Sequence, residues 1–190
     1  MLFENYITDN KDEFLTKEQS LCQSLNIDPN WLMSVMWLES RLDPAAVNPD
    51  GGATGLIQFY PSTAIDLGTT VDSLVNMSNV QQLPWVYKYL KIYASKVKTF
   101  FDLYLAIFFP LGIGKPDNWV IHSTSLTAEQ VARVNKTFDL NGDFQITIAE
   151  FKTAVSRLLP AEAAKYILKQ KSTWGIIALS GFVIYLIFKK

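Results

Sequence analysis

Between Asp28 and Ser40 the chain runs Pro-Asn-Trp-Leu-Met-Ser-Val-Met-Trp-Leu-Glu, apolar at most steps. Asp28 is placed to accept hydrogen bonds as an N-cap. Pro29 suits the first helical position, where a missing N–H costs nothing. A helix this apolar belongs in a core, and Glu39 has to be reconciled with that burial. At helical spacing Glu39 stacks with Val35, Met36 and Leu42, with Leu32 two turns back; Arg41, at i+2, points elsewhere. A carboxylate among such neighbours is either paired or desolvated. Desolvation disfavours the charged form and raises the pKa, which is the state a general acid needs near neutral pH. The bland alternative is a solvated or networked helix glutamate.

Helix-compatible periodicity dominates the rest of the chain and few runs alternate like strands, so an all-α fold is expected. With 190 residues there is enough chain for one good core and an appendage. A net charge of −1 provides no basic footprint, so nucleic acid is not an expected partner. Cys22 is the only cysteine, which rules out an intrachain disulfide. His122 is the only histidine, and nothing in the spacing places it beside Cys22 or supports a histidine-based zinc site. Gly112-Ile113-Gly114-Lys115-Pro116 lacks the glycine spacing of a phosphate loop.

Past Glu39-Ser40 the sequence continues through Asp43-Pro44 and Asn48 to Gly52-Ala53-Thr54-Gly55-Leu56-Ile57-Gln58-Phe59-Tyr60-Pro61-Ser62-Thr63-Ala64. This ordered set resembles the lytic transglycosylases of the lysozyme-like fold, including phage-encoded members. Their pattern is a Glu-Ser pair closing a helix, a loop with Asp-Pro and Asn, then Gly-Ala-x-Gly-Leu-x-Gln-x-x-Pro-x-Thr-Ala. Weaker similarity continues through Asp102–Pro110 and toward Phe151. The resemblance implies that Glu39 is the catalytic acid for the glycosidic bond between N-acetylmuramic acid and N-acetylglucosamine in peptidoglycan. The resulting carboxylate then serves as base on the muramic C6 hydroxyl, giving a 1,6-anhydro product. It implies substrate contacts from Gln58 and Ser40, and no cofactor for the chemistry. The family's later Ala-Tyr-Asn motif has no clear copy. Arg133-Val134-Asn135 lies in its region without the tyrosine, and Tyr104 or Tyr60 is the candidate substitute, both counted here as substrate-binding.

A hydrolase on the same fold is the alternative, and it needs a second carboxylate. Asp43, Asp50 and Asp66 are the nearest, but Asp43-Pro44 and Asp50-Gly51 read as turns. A different class of alternative is a non-enzymatic virion protein with a decayed wall-binding domain.

Asp139-Leu140-Asn141-Gly142-Asp143-Phe144-Gln145-Ile146-Thr147-Ile148-Ala149-Glu150 reads as an EF-hand calcium loop. Oxygens of Asp139, Asn141 and Asp143 fall at positions 1, 3 and 5, the Gln145 carbonyl at 7 and Glu150 at 12. Position 6 calls for glycine and holds Phe144, a strained choice. The flanks predict helices over Val131–Phe138, opened by a Thr127/Gln130 capping box, and Phe151–Leu159. Thr147 and Glu150 form a capping box in their own right, which is the competing role for Glu150. The expected ion is a structural Ca2+.

Trp174–Phe188 carries no charge and has lysines on both sides. Its length spans about 22 Å as a helix, short of a full bilayer, and snorkelling lysines can make up the difference. The expected organisation is therefore a lysozyme-like domain over 1–159 with the EF-hand-like loop at 139–150, a linker at 160–172, and a transmembrane anchor at 173–188. The N-terminal residues do not read as a signal peptide. Together with the anchor, this leads to the expectation of an enzyme held in a lipid-containing phage virion and acting on the bacterial envelope. Its expected partners are peptidoglycan strands and a lipid membrane, with oligomeric state left open.

Overall fold

The computed structural model describes residues 1–169. The expected anchor at 173–188 lies outside the described residues. Among those that are described, no helix is long and apolar enough to cross a membrane.

The fold is helical, as expected. Helices α1 (Lys11–Leu25), α2 (Pro29–Ser40), α3 (Pro61–Leu67), α4 (Val71–Val75), α5 (Asn79–Lys91), α6 (Phe100–Phe108), α7 (Ala128–Val134) and α8 (Ile148–Leu158) follow in order. Strand-like pairing among the described residues is limited to the isolated bridges Val47↔Thr54, Thr54↔Phe59 and Val120↔Thr147.

Helix α2 is the spine. Asp28 caps it, accepting the Asn30 N–H at 2.8 Å, with Pro29 in the first turn. Leu32, Met33, Val35 and Met36 are fully enclosed, because α1 covers one side of the helix and α6 the other. The Tyr89 hydroxyl of α5 donates to the Ala106 carbonyl of α6 at 2.7 Å, fastening the remaining side of this core. Helix α2 ends through Arg41 (φ 57) and Leu42 (φ 65), two successive left-handed residues that lack a glycine's freedom. Each costs about 1 kcal/mol or more, and such strain is retained where the surroundings over-determine it.

Three sequence expectations meet a different local structure. The helix entering the 139–150 loop stops at Val134 rather than reaching Phe138, because Asn135 leaves helical geometry (φ −124, ψ 46) and turns the chain. The outgoing helix starts earlier than expected, at Ile148, since Thr147 and Glu150 do form a capping box. Residues 161–169, in the segment expected to be linker, are helical. Ala163 and Ile167 are buried there. The Tyr166 hydroxyl donates to Asp28 Oδ2 at 2.9 Å and accepts from Asn30 Nδ2 at 3.1 Å. This segment therefore braces the start of the helix that carries Glu39.

Candidate active site

Glu39 lies in the last turn of α2, and α6 crosses beside it. It opens into a cavity of about 430 Å³ whose walls come from three places. The loop after α2 contributes Asn48, Ala53, Gln58 and Tyr60; α6 and its end contribute Tyr104, Ile107 and Phe108; α7 and the turn after it contribute Gln130, Val131, Asn135 and Phe138. Among the described residues Glu39 is the only carboxylate on these walls.

Burial pushes the Glu39 carboxyl up to about 7, against the opposing pull of a hydrogen bond from Tyr104. Its position at a helix C-terminus, where the backbone dipole repels negative charge, works in the same direction as burial. Tyr104 is itself held well above the ordinary phenol range by burial and by Glu39, so it stays a neutral O–H donor. The pair can thus hold Glu39 as an acid near neutrality and still steady the carboxylate once its proton has gone.

The loop opposite is held in shape by side chains. Gln58 adopts φ 53, and its amide nitrogen donates to the Ala46 carbonyl at 3.2 Å and the Gly55 carbonyl at 3.0 Å. Its nitrogen therefore serves the loop, which leaves the oxygen as the polar group Gln58 can turn toward a ligand. Ser40 does not line the cavity. It is buried behind it, with its hydroxyl shared between the carbonyls of Met36 at 3.0 Å and Leu56 at 3.1 Å. Lying on the core side of the helix end, the Ser40 side chain ties that end to the Gly55–Gln58 turn instead of facing the cleft where a substrate contact was expected. Tyr60, 60 % exposed, stands at the rim. Tyr104 is buried against Phe151 and acts on the acid directly, a closer role than the substrate contact expected of it.

Sequence reading missed Gln82. It is fully buried; its oxygen accepts the Leu56 N–H at 2.9 Å, and its nitrogen donates to the carbonyls of Pro44 at 2.6 Å and Leu74 at 2.8 Å. One carboxamide thereby fixes both ends of the loop facing Glu39. Gly55 (φ +82) is required beside it, because a Cβ there would run into that carboxamide. Asn48, Gln130 and Asn135 were likewise not singled out as cleft-wall residues. Asn48 holds the Asn position of the family pattern and Asn135 falls in the region of the missing third motif, whereas Gln130 was marked only as a helix cap.

Asp139, Asn141 and Asp143 are gathered by the loop's own backbone. Asp139 accepts the N–H groups of Gly142 at 2.8 Å and Phe144 at 3.1 Å, Asn141 that of Asp143 at 2.8 Å, and Asp143 that of Gln145 at 2.9 Å. Phe144 takes φ 61, the conformation the missing glycine would have supplied, with its ring against the Arg133 guanidinium at 4.7 Å. Glu150 Oε2 is used in the capping box with Thr147, whereas Oε1 is buried with no hydrogen-bond partner. Among the described residues no group of three or more His, Cys, Asp or Glu converges closely enough to hold a metal ion. The loop shape and the orphaned Oε1 fit a cation, but Glu150 is engaged as a helix cap.

A helical domain whose cleft is built around one desolvated acid and its phenolic partner holds the groups that acid catalysis requires. Residues 18–107 match the family model of the Transglycosylase SLT domain. Members of that family are lytic transglycosylases acting on peptidoglycan, and they need no cofactor for the chemistry. The match spans α1 to α6, including Glu39 and the Gly55–Gln58 turn, and leaves α7 and α8 outside. No curated protein matches the chain.

Proposed function

We propose that Glu39 cleaves the bond between N-acetylmuramic acid and N-acetylglucosamine without consuming water. The supporting observation is that Glu39, with its carboxyl raised to about 7, is the only carboxylate on the described cleft walls. In the first step the Glu39 proton passes to the glycosidic oxygen as the bond from muramic C1 to that oxygen breaks. In the second, the muramic C6 hydroxyl attacks C1 and gives its proton to the Glu39 carboxylate. The acid is restored, and the product is a 1,6-anhydro sugar. Tyr104 steadies the carboxylate between the steps. A hydrolase would instead need a second carboxylate about 5–9.5 Å away, as nucleophile or to activate water. Asp43, Asp50 and Asp66 are not on the cleft walls.

The test is mass spectrometry of peptidoglycan digested by the full chain and by Glu39→Gln. Anhydro-muropeptides from the wild type alone are expected. Reducing-end products would replace this mechanism with hydrolysis, and cleavage retained in Glu39→Gln would remove Glu39 from it.

The same reading includes a weak Ca2+ staple at 139–150, supported by the orphaned Glu150 Oε1 and the left-handed Phe144. Asp139, Asn141, Asp143 and Glu150, with the Gln145 carbonyl, would hold the ion and stiffen the segment between α7 and α8. Calorimetric titration with Ca2+ checks it, and no heat of binding at millimolar ion would exclude it. It further includes membrane attachment through the uncharged 174–188 run and residence in a lipid-containing virion, supported by that composition and by the resemblance to phage-encoded members. Absence of the protein from purified lipid-bearing particles would count against the second.

A further inference from the structure

A second pocket, lined by residues that follow α6, is not used by the reaction above. Its volume is about 360 Å³, and Leu111, Lys115, Trp119, His122, Ser123 and Thr124 line it. The linings of the two cavities are joined by short backbone links. Phe109 and Leu126 line the catalytic cleft. Leu111 lies within the 3-10 turn that follows Phe109, where the Gly112 N–H donates to the Phe109 carbonyl at 2.9 Å. The Ser123 N–H donates to the Leu126 carbonyl, also at 2.9 Å. Leu111, Ser123 and Thr124 of the second pocket therefore lie within three chain positions of Phe109 or Leu126, which line the cleft.

The pocket is cationic and rich in donors. No Asp or Glu lines it, and Lys115 makes no salt bridge among the described residues. The Lys115 ammonium lies 5.5 Å from the centroid of the Trp119 ring, and the His122 imidazole stacks on that ring at 5.2 Å and 29°. A carbonyl only accepts, so His122 Nδ1 carries the hydrogen it gives to the Val120 oxygen at 2.8 Å. That bond fixes the ring and leaves Nε2 for a ligand. The next carboxylate along the chain, Asp117, is held by Lys152.

An unoccupied aromatic face would suit a sugar ring. Here an ammonium and an imidazole already lie against Trp119, so the site suits an anion with a short apolar edge. Peptidoglycan strands carry such groups on their muramic lactyl ethers: short peptides ending in free carboxylates beside alanine methyls. We infer that the Lys115–Trp119–His122 pocket is a subsite for a carboxylate of the stem peptide, an inference that rests on the peptidoglycan reading above. Lys115 supplies the charge, Ser123 and Thr124 supply hydroxyl donors, and Leu111 with the indole edge receives the methyl group.

His122 is the only histidine in the chain, so its imidazole proton resonance reports on the pocket alone. The full chain is titrated with a free stem tetrapeptide and with the same peptide amidated at its carboxylates. A saturable shift of the His122 signal is expected with the acid, weakened about fivefold or more in Lys115→Gln and by amidation. No saturable shift, or equal affinity for acid and amide, overturns the inference. A second arm compares kcat/KM on peptide-bearing strands with that on strands stripped of peptide. Lys115→Gln should lower the ratio of the two about fivefold, and an unchanged ratio counts against the subsite. Failure of the wild type to cleave either strand refutes the catalytic reading alone, because the peptide titration is read without turnover.

Discussion

Tyr104→Phe tests the acid–base logic of the site most directly. The phenyl ring keeps the packing of Tyr104 on Phe100 and Phe151 and removes only the hydroxyl that hydrogen-bonds Glu39. In the wild type Glu39 titrates at about 7, with burial raising it and Tyr104 lowering it. The proposed reaction starts from the protonated acid, so kcat/KM should fall as pH rises through that value. A hydrogen bond to a buried charged group contributes about 1.5–3 kcal/mol, and each pKa unit corresponds to about 1.4 kcal/mol. Losing the bond removes a contact that favours the carboxylate, so the falling limb should move up by about one to two units. Under the proposed mechanism the carboxylate is the base of the second step, so kcat at the optimum should drop about tenfold or more. The assay is initial release of muropeptides between pH 5 and 9 for both proteins. A limb that stays near 7, or moves down, would refute the assignment of Tyr104 as the donor that steadies Glu39.

Glu18 is a buried acid outside the cleft. Burial raises it to about 8 and Asp28 adds to the shift, while its bond from the Cys22 thiol at 3.1 Å opposes it. With the folded value above the unfolded one of 4.5, its contribution to stability is complete below about pH 4.5 and is lost as pH rises toward 8. Glu18→Gln should therefore stabilise the fold by about 2–3 kcal/mol at pH 7 and hardly at all at pH 4, measured by chemical denaturation; an equal change at both would defeat this account. Gln82→Ala removes three buried hydrogen bonds that hold the loop facing Glu39. It should cost about 3 kcal/mol or more in denaturant unfolding and weaken cleavage with it, and a loss below about 1 kcal/mol would show that the loop holds itself. Phe144→Gly relieves a left-handed phenylalanine at the price of its contact with Arg133. A net gain of about 0.5–1 kcal/mol and tighter Ca2+ binding are expected, and an unchanged titration would mean that the loop is not a cation site.

Much of the site could be read locally. Asp28-Pro29 marks the start of α2, and apolar neighbours at helical spacing mark Glu39 as desolvated. The two capping boxes around the 139–150 loop are visible from residues three positions apart, because a cap is formed within one turn. The family resemblance carried the Gly55–Gln58 turn. What local sequence does not encode is which distant groups meet. Tyr104 comes from a different helix, and only the crossing of α2 and α6 sets its hydroxyl on Glu39. Ser40 and Gln58 sit in matched motif positions, yet the fold turns one into the core and commits the nitrogen of the other to loop carbonyls. Gln82 looks like an ordinary helix glutamine until burial forces its amide to satisfy three backbone groups. The left-handed turns at Arg41, Leu42 and Gln58 carry no glycine to announce them. The sequence by itself marked the helical class, several helix caps and the candidate acid, because these depend on neighbours a few residues away. The tertiary structure decided the acid's partner, the cleft walls and the pocket beside them, because desolvation and hydrogen-bond pairing are properties of what packs together across the chain.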